Sequence, residues 1–149
     1  MAHMLSPIGR SQLPSETIEV SRIVTLDSTL GKVSVCDAVD IPYGIAPWYP
    51  FDQEAKDAAS GPFASYSAGT TGLQPITVYV GGVIPLVAKG AITRGAFVVP
   101  ASDNSGKGST AALGTGTQEW VIGRALNTVT TEGNIVMVEV NVESISTPA

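Results

Sequence analysis

Apolar and polar residues alternate along this chain in short runs set between turn-forming residues, which is the period-two pattern of half-buried strands. Ile18 and Val20, with Arg22, share one face, and Ile23, Thr25 and Leu26 follow as a β-branched run. Asp27 to Lys32 reads as a hairpin turn, because Asp and Ser bond their own backbone and Gly31 accepts positive φ. Val33 to Val35 returns as a strand, and Ile41 to Ala46 follows with Gly44 marking a bulge or a close backbone approach. Ile76 to Val80 alternates cleanly and is expected to end at Gly81-Gly82, with Val83 to Val87 a separate short strand around Pro85. Ala96 to Val99, Trp120 to Leu126 and Ile135 to Val142 complete the set, a long polar turn over Ser102 to Ser109 lying among them. In the last strand Val136, Val138, Val140 and Val142 share one face, opposite Met137, Glu139, Asn141 and Glu143. The expected fold is all-β, a small β-barrel or β-sandwich-like domain.

One pattern occurs twice. A β-type run, a turn carrying Gly-Lys, and an apolar segment ending in Gly-x-Ala appear first as Arg22 to Leu26, Gly31-Lys32 and Gly44-Ile45-Ala46. They return as Ala96 to Val99, Gly106-Lys107 and Gly123-Arg124-Ala125. A strand–turn–strand unit used twice predicts a barrel scaffold and gives no hint of a catalytic cleft.

The rest of the chain is organised around this unit. Residues 1–15, carrying Pro7, Gly9 and Pro14, read as an extended N-terminal arm, with residues 1–3 a candidate added leader before Met4. Residues 16–144 form the single β domain, and 145–149 a C-terminal tail. Residues 47–72 read as an insertion between the two copies. Within it, Asp52 to Ala59 has helix formers, a capping Asp52 and the stop signal Gly61-Pro62, predicting one short helix. The patch Trp48-Tyr49-Pro50-Phe51 either plugs the barrel end or anchors a partner.

Composition narrows the function. Only 14% of the 149 residues are charged and 44% are hydrophobic, with 16 Gly and 10 Pro, as suits a turn-rich β protein whose surface is covered by a partner. The net charge of −5 and the scattered basic residues argue against a nucleic-acid partner, which needs clustered Lys and Arg. Neither a signal-peptide layout nor a membrane-spanning run is present in the sequence given. Cys36 is the single cysteine, so no intrachain disulfide or thiolate cluster can form, and it reads as a small buried hydrophobe.

Catalytic chemistry finds little support. His3 is the single histidine, which removes a Ser-His or Cys-His pair from the fold. The stretch Ser105 to Thr110 lacks the first Gly and the Ser or Thr after Lys that a phosphate loop requires, and reads as a turn. Asp27, Asp37 and Asp40 match no calcium-loop spacing and read as polar turn residues. Gly9-Arg10-Ser11-Gln12-Leu13 is similar to a motif of the trimeric β-fold dUTP hydrolases, but their acidic substrate loop is missing. The expectation is no enzyme, no cofactor and no metal.

From Arg22 to Val142 the order of motifs resembles the small capsid decoration (cement) proteins of tailed bacteriophages. The strongest stretches are Gly90 to Val98, Val121 to Leu126 and the strand after Gly133. The resemblance implies a structural protein on the outer surface of the phage head that binds the major capsid protein after shell expansion and bridges its subunits, often as a trimer. Leu5, Ile8, Arg10 and Leu13 of the arm and Trp48, Tyr49 and Phe51 of the insertion are the candidate capsid-binding residues. The alternatives are a carbohydrate- or receptor-binding β-module of a phage tail or surface and, further off, a nucleotide hydrolase of the trimeric β-fold type.

Overall fold

The computed structural model describes residues 7–16, 18–28, 31–47, 67–69, 76–112, 116 and 118–146. These residues are all-β, with eleven strands and no helix among them. The strands are β1 (Ile8–Pro14), β2 (Ile18–Glu19), β3 (Arg22–Leu26), β4 (Lys32–Val35), β5 (Pro42–Ala46), β6 (Ser67–Gly69), β7 (Ile76–Val87), β8 (Phe97–Pro100), β9 (Gly108–Thr110), β10 (Gln118–Ala125) and β11 (Ile135–Ser146). The helix expected over Asp52 to Ala59 lies outside the described residues. The insertion does contribute β6, which pairs antiparallel with β2.

Five strands close into a barrel in the order β1-β4-β3-β5-β7, with β7 returning to β1. The β1–β4 pairing is parallel and the others are antiparallel. Val24, Val33, Ala46, Ile76 and Val78 are buried together with Ile18 in its core, as alternation along each strand requires. Barrel closure removes the free sheet edges that would invite aggregation.

The arm expected over residues 1–15 is, from Ile8 on, a wall of this barrel. β1 runs antiparallel to β7 from Ile8 opposite Gly81 to Gln12 opposite Ile76, and parallel to β4 at Leu13 and Pro14. Main-chain bonds hold it there. A strand held in this way needs no apolar alternation, and Gly-Arg-Ser-Gln shows none.

β7 differs from expectation as well, being one continuous strand of 12 residues rather than two. Gly82 takes a φ of 94°, which redirects the strand without ending it. Pro85 lies opposite Met137, whose N–H donates to Asn127 Oδ1 and whose carbonyl accepts from the Leu126 N–H. Both polar groups of Met137 therefore serve the loop after β10, and the missing proline amide costs no ladder bond toward β11. The C-terminal half of β7 then opens a second sheet, β7-β11-β10-β8-β9, which curls until Gly108 meets Ala88 in a parallel bridge.

The motif that occurs twice in sequence is thus a repeat of structure down to the register. β3 lies between β4 and β5, and β8 between β9 and β10. Val24 faces Gly44 in the first unit and Val98 faces Gly123 in the second. Ile45 pairs Tyr79, and Arg124 pairs Glu139. Pro14 meets Val33, as Ala88 meets Gly108, and the N–H groups of Ser15 and Lys89 donate to the carbonyls of Val33 and Gly108 at 2.9 and 2.7 Å. The first strand of the second unit is the second half of β7, so one strand closes the barrel and founds the second sheet.

The units join at Gly106. The Ile23 N–H donates to the Gly106 carbonyl at 2.7 Å, and the Val87 N–H to the Ser21 carbonyl at 3.0 Å, so residues 21–23 insert at the seam of the second unit. Gly106 combines a φ of 72° with an approach so close that a Cβ would sit 2.9 Å from the Ile23 carbonyl oxygen. Ile23, Cys36 and Ile45 of the first unit are buried in one cluster with Leu86, Val98, Ile122 and Val138 of the second. A smaller cluster of Val99, Ala111 and Val121 takes in Ile145, so the chain is structured through Ser146 rather than ending its domain at 144.

The repeated glycines offer a test. A Cβ on Gly123 would lie 2.1 Å from the Glu139 carbonyl oxygen, and one on Gly44 would lie 2.5 Å from that of Tyr79, whereas one on Gly31 meets nothing within 4 Å. Gly123→Ala is expected to cost about 3 kcal/mol through overpacking of backbone. Gly31→Ala, strained by positive φ alone, is expected to cost about 1 kcal/mol. Thermal melts of the two variants check the ranking, and equal losses would refute the close-approach role of Gly123.

Candidate interaction surface

Of the candidate capsid-binding residues, the structure describes Ile8, Arg10 and Leu13, all on β1, while Leu5, Trp48, Tyr49 and Phe51 lie outside the described residues. β1 is the most exposed strand of the first barrel, with Ile8 53% and Leu13 38% accessible and Pro14 its one buried residue. Arg10 and Gln12 occupy the places that Ile84 and Leu86 hold in the second unit, as their pairings with Val78 and Ile76 against Val138 and Val136 show. Ile84 and Leu86 are buried, whereas Arg10 is exposed and the Gln12 amide donates to the Tyr43 hydroxyl at 3.4 Å. The wall of the first barrel is therefore polar where its counterpart is apolar. Leu26, 57% exposed, lies at the far end of β3, opposite Val33, and Ile41 is exposed ahead of β5.

The outer wall of the second unit shows the reverse substitution. Ile23 and Ile45 face each other fully buried at the junction, and their counterparts are Phe97 and Arg124. Arg124 is exposed and its guanidinium lies 4.5 Å from the centre of the Phe97 ring, a cation–π contact that shields an apolar ring from solvent. Terminal units of repeat proteins carry such polar outer faces because nothing stacks on them. Sequence reading recognised the repeat but missed this pair, whose signal is the change from Ile to Arg inside the second Gly-x-Ala.

A charged network ties the loops of the second unit. Lys89 Nζ lies 2.9 Å from Asp103 Oδ2 and 3.0 Å from Glu132 Oε1, and Lys107 Nζ lies 2.9 Å from the same Glu132 oxygen. Lys107, the Lys of the second Gly-Lys turn, is thus engaged in an ion pair. Asp103 accepts from the Ser105 N–H and the Ser105 hydroxyl accepts from the Lys107 N–H, the bonding of a turn rather than of a phosphate cradle.

The other chemical candidates resolve in the same way. The Asp40 carboxylate accepts from the Asp37 N–H at 2.9 Å, and the Asp40 N–H donates to the Asp37 carbonyl, so this pair shapes a turn. Cys36 is buried, and burial, with Asp40 and Asp37 nearby, pushes its thiol up to about 12, leaving it protonated and unreactive at neutral pH. Among the described residues no group of three or more His, Cys, Asp or Glu side chains could hold a metal ion. Gly9 to Leu13, which is similar to the nucleotide-hydrolase motif, is barrel strand β1.

No protein-family model and no curated protein matches this chain. Among solved structures it is similar to the N base of the head fibre protein gp8.5 of bacteriophage phi29. The likeness has a TM-score of 0.61 at 14% sequence identity and covers 91% of this chain and 95% of that one. At this identity the likeness shows a shared fold, here one belonging to a phage head structural protein, and it embraces both units of the repeat.

The charged network has a pH signature. Hydrogen bonds from Ser105 and then Lys89 hold the Asp103 carboxyl well below the usual carboxylate range. Lys107 and then Lys89 lower Glu132, and Asp103 and then Glu132 raise Lys89. Because the carboxylate values are depressed on folding, their contribution is present above the unfolded value of roughly 4 and is lost as the pH falls through the folded one. At these exposed positions the effect is small and screened by salt. Glu132→Gln is expected to melt below wild type near neutral pH, and the two melting temperatures should converge as the solution is acidified through the carboxylate range. A gap that persists in strong acid would show that Glu132 acts through packing instead.

Proposed function

We propose that this protein is a structural, non-enzymatic component of a bacteriophage head, held on the outer surface of the capsid and stabilising it by bridging copies of the major capsid protein. The observation that carries this reading is the likeness of fold to the base of a phage head fibre over nearly the whole chain. The decoration-protein resemblance of the sequence points the same way, and a trimer rests on that resemblance alone. Low charge and the exposed apolar residues of β1 suit a face covered by a partner. Affinity at each site is modest, and many sites on one shell add up through multivalency.

The experiment is co-sedimentation of the purified protein with expanded phage heads. Deletion of the N-terminal residues would confuse binding with folding, since β1 is part of the barrel wall. Surface substitution separates them. Arg10→Glu combined with Leu13→Gln is expected to weaken head binding about tenfold, roughly 1.4 kcal/mol per site, with the melting temperature little changed. Failure of the wild-type protein to sediment with heads would overturn the reading, and undiminished binding by the variant would move the contact off β1.

A further inference from the structure

The two units differ in how their first strand is held. In the second unit that strand is the C-terminal half of β7, covalently continuous with the first barrel and anchored by buried Ile84 and Leu86. In the first unit it is β1, whose counterparts Arg10 and Gln12 are polar and whose Ile8, Gly9, Arg10, Ser11 and Leu13 are exposed. Toward β4 it makes two residue pairs, Leu13 with Lys32 and Pro14 with Val33. Its attachment is therefore chiefly main-chain hydrogen bonding to β7, which contributes little net stability once water competes for the same groups. Elements with few buried apolar contacts open locally well before the whole fold does.

The groove that β1 occupies is also particular about what fills it. Its edges are β4 and the N-terminal half of β7, and Val33, Ile76 and Val78 line the core side. Ile8 packs over Gly81, where a Cβ would lie 3.0 Å from its Cδ1. One residue on, Gly9 faces Tyr79, and a Cβ there would sit 2.8 Å from Thr77 Cγ2, so a side chain would have to displace that methyl. An apolar side chain followed by Gly fits one end of the groove, and Pro14 is buried at the other. Few foreign strands meet that pattern, whereas β1 of a second copy meets it by identity.

We propose that β1 is an exchangeable strand, and that the groove between β4 and β7 is a docking site for β1 of a second copy of this chain. The exchanged strand restores the same ladder and the same Ile8–Gly81 and Gly9–Tyr79 fit, so the swap changes connectivity at almost no cost in contacts. This inference is independent of capsid binding, because it requires nothing but the protein itself.

A disulfide trap across the ladder tests it. Ser11 and Thr77 are register partners on β1 and β7, and Cys36→Ala removes the native thiol. The full chain carrying Cys36→Ala, Ser11→Cys and Thr77→Cys, oxidised at low and at high protein concentration, is run on a non-reducing denaturing gel. Disulfide-linked dimers and larger species, rising with concentration and collapsing to one band on reduction, are expected. A single intramolecularly linked chain at every concentration would overturn the proposal. Hydrogen exchange on the unmodified protein gives a second reading should the variant fold poorly. Amides of β1 are expected to exchange at least tenfold faster than those of paired β10 and β11, and equal protection of the three strands would also overturn it.

Discussion

The fold depends on β7 serving both units at once. Its first half closes the barrel against β1 and β5, and its second half supplies the first strand of the second sheet through β11. Because residues along a single strand cannot slip independently, the register of either unit constrains that of the other. Gly82 provides the change of direction between the halves, and the Gly106 contact fixes how the units lie against each other. A cluster that draws on both units, from Ile23 and Ile45 to Val138 and Val140, makes the pair one cooperative body rather than two beads.

Between the units, main-chain geometry is kept and side chains diverge. The glycines that permit close approach, Gly44 and Gly123, stand at equivalent places because no other residue fits beneath a neighbouring carbonyl. The divergence falls at surfaces: Ile45 against Arg124, Ile23 against Phe97, Ile84 and Leu86 against Arg10 and Gln12. Apart from Phe97, which Arg124 covers, positions apolar at the junction become polar at the outer walls. The two units thereby present distinct outer walls, β1 with exposed Ile8 and Leu13 marking that of the first.

Much of this was legible in the sequence. Val136 to Val140 alternate with Met137 and Glu139 as the burial of β11 requires, and the double Gly-Lys and Gly-x-Ala pattern did mark a duplicated unit. Period-two reasoning fails where a strand is held chiefly by its backbone, so β1 read as an arm. It fails again where Gly and Pro sit inside a strand without ending it, as Gly81, Gly82 and Pro85 do in β7. Closure of the barrel and the inversion of polarity at Arg10 and Arg124 arise from contacts distant in sequence, which a local pattern does not carry. The aromatic patch and the expected helix fall outside the described residues and add nothing to either side.

The pairing of β1 with β7 has a consequence for the newly made chain. Ile8 leaves the ribosome long before Gly81, so the first barrel cannot close while β3, β4 and β5 already can pair with one another. During that interval β1 has only its short pairing with β4, and the edge that β7 will cover stays open. An alternating apolar strand in that position would be an aggregation hazard. Arg10, Ser11 and Gln12 leave β1 without such an apolar run during the interval before β7 is made.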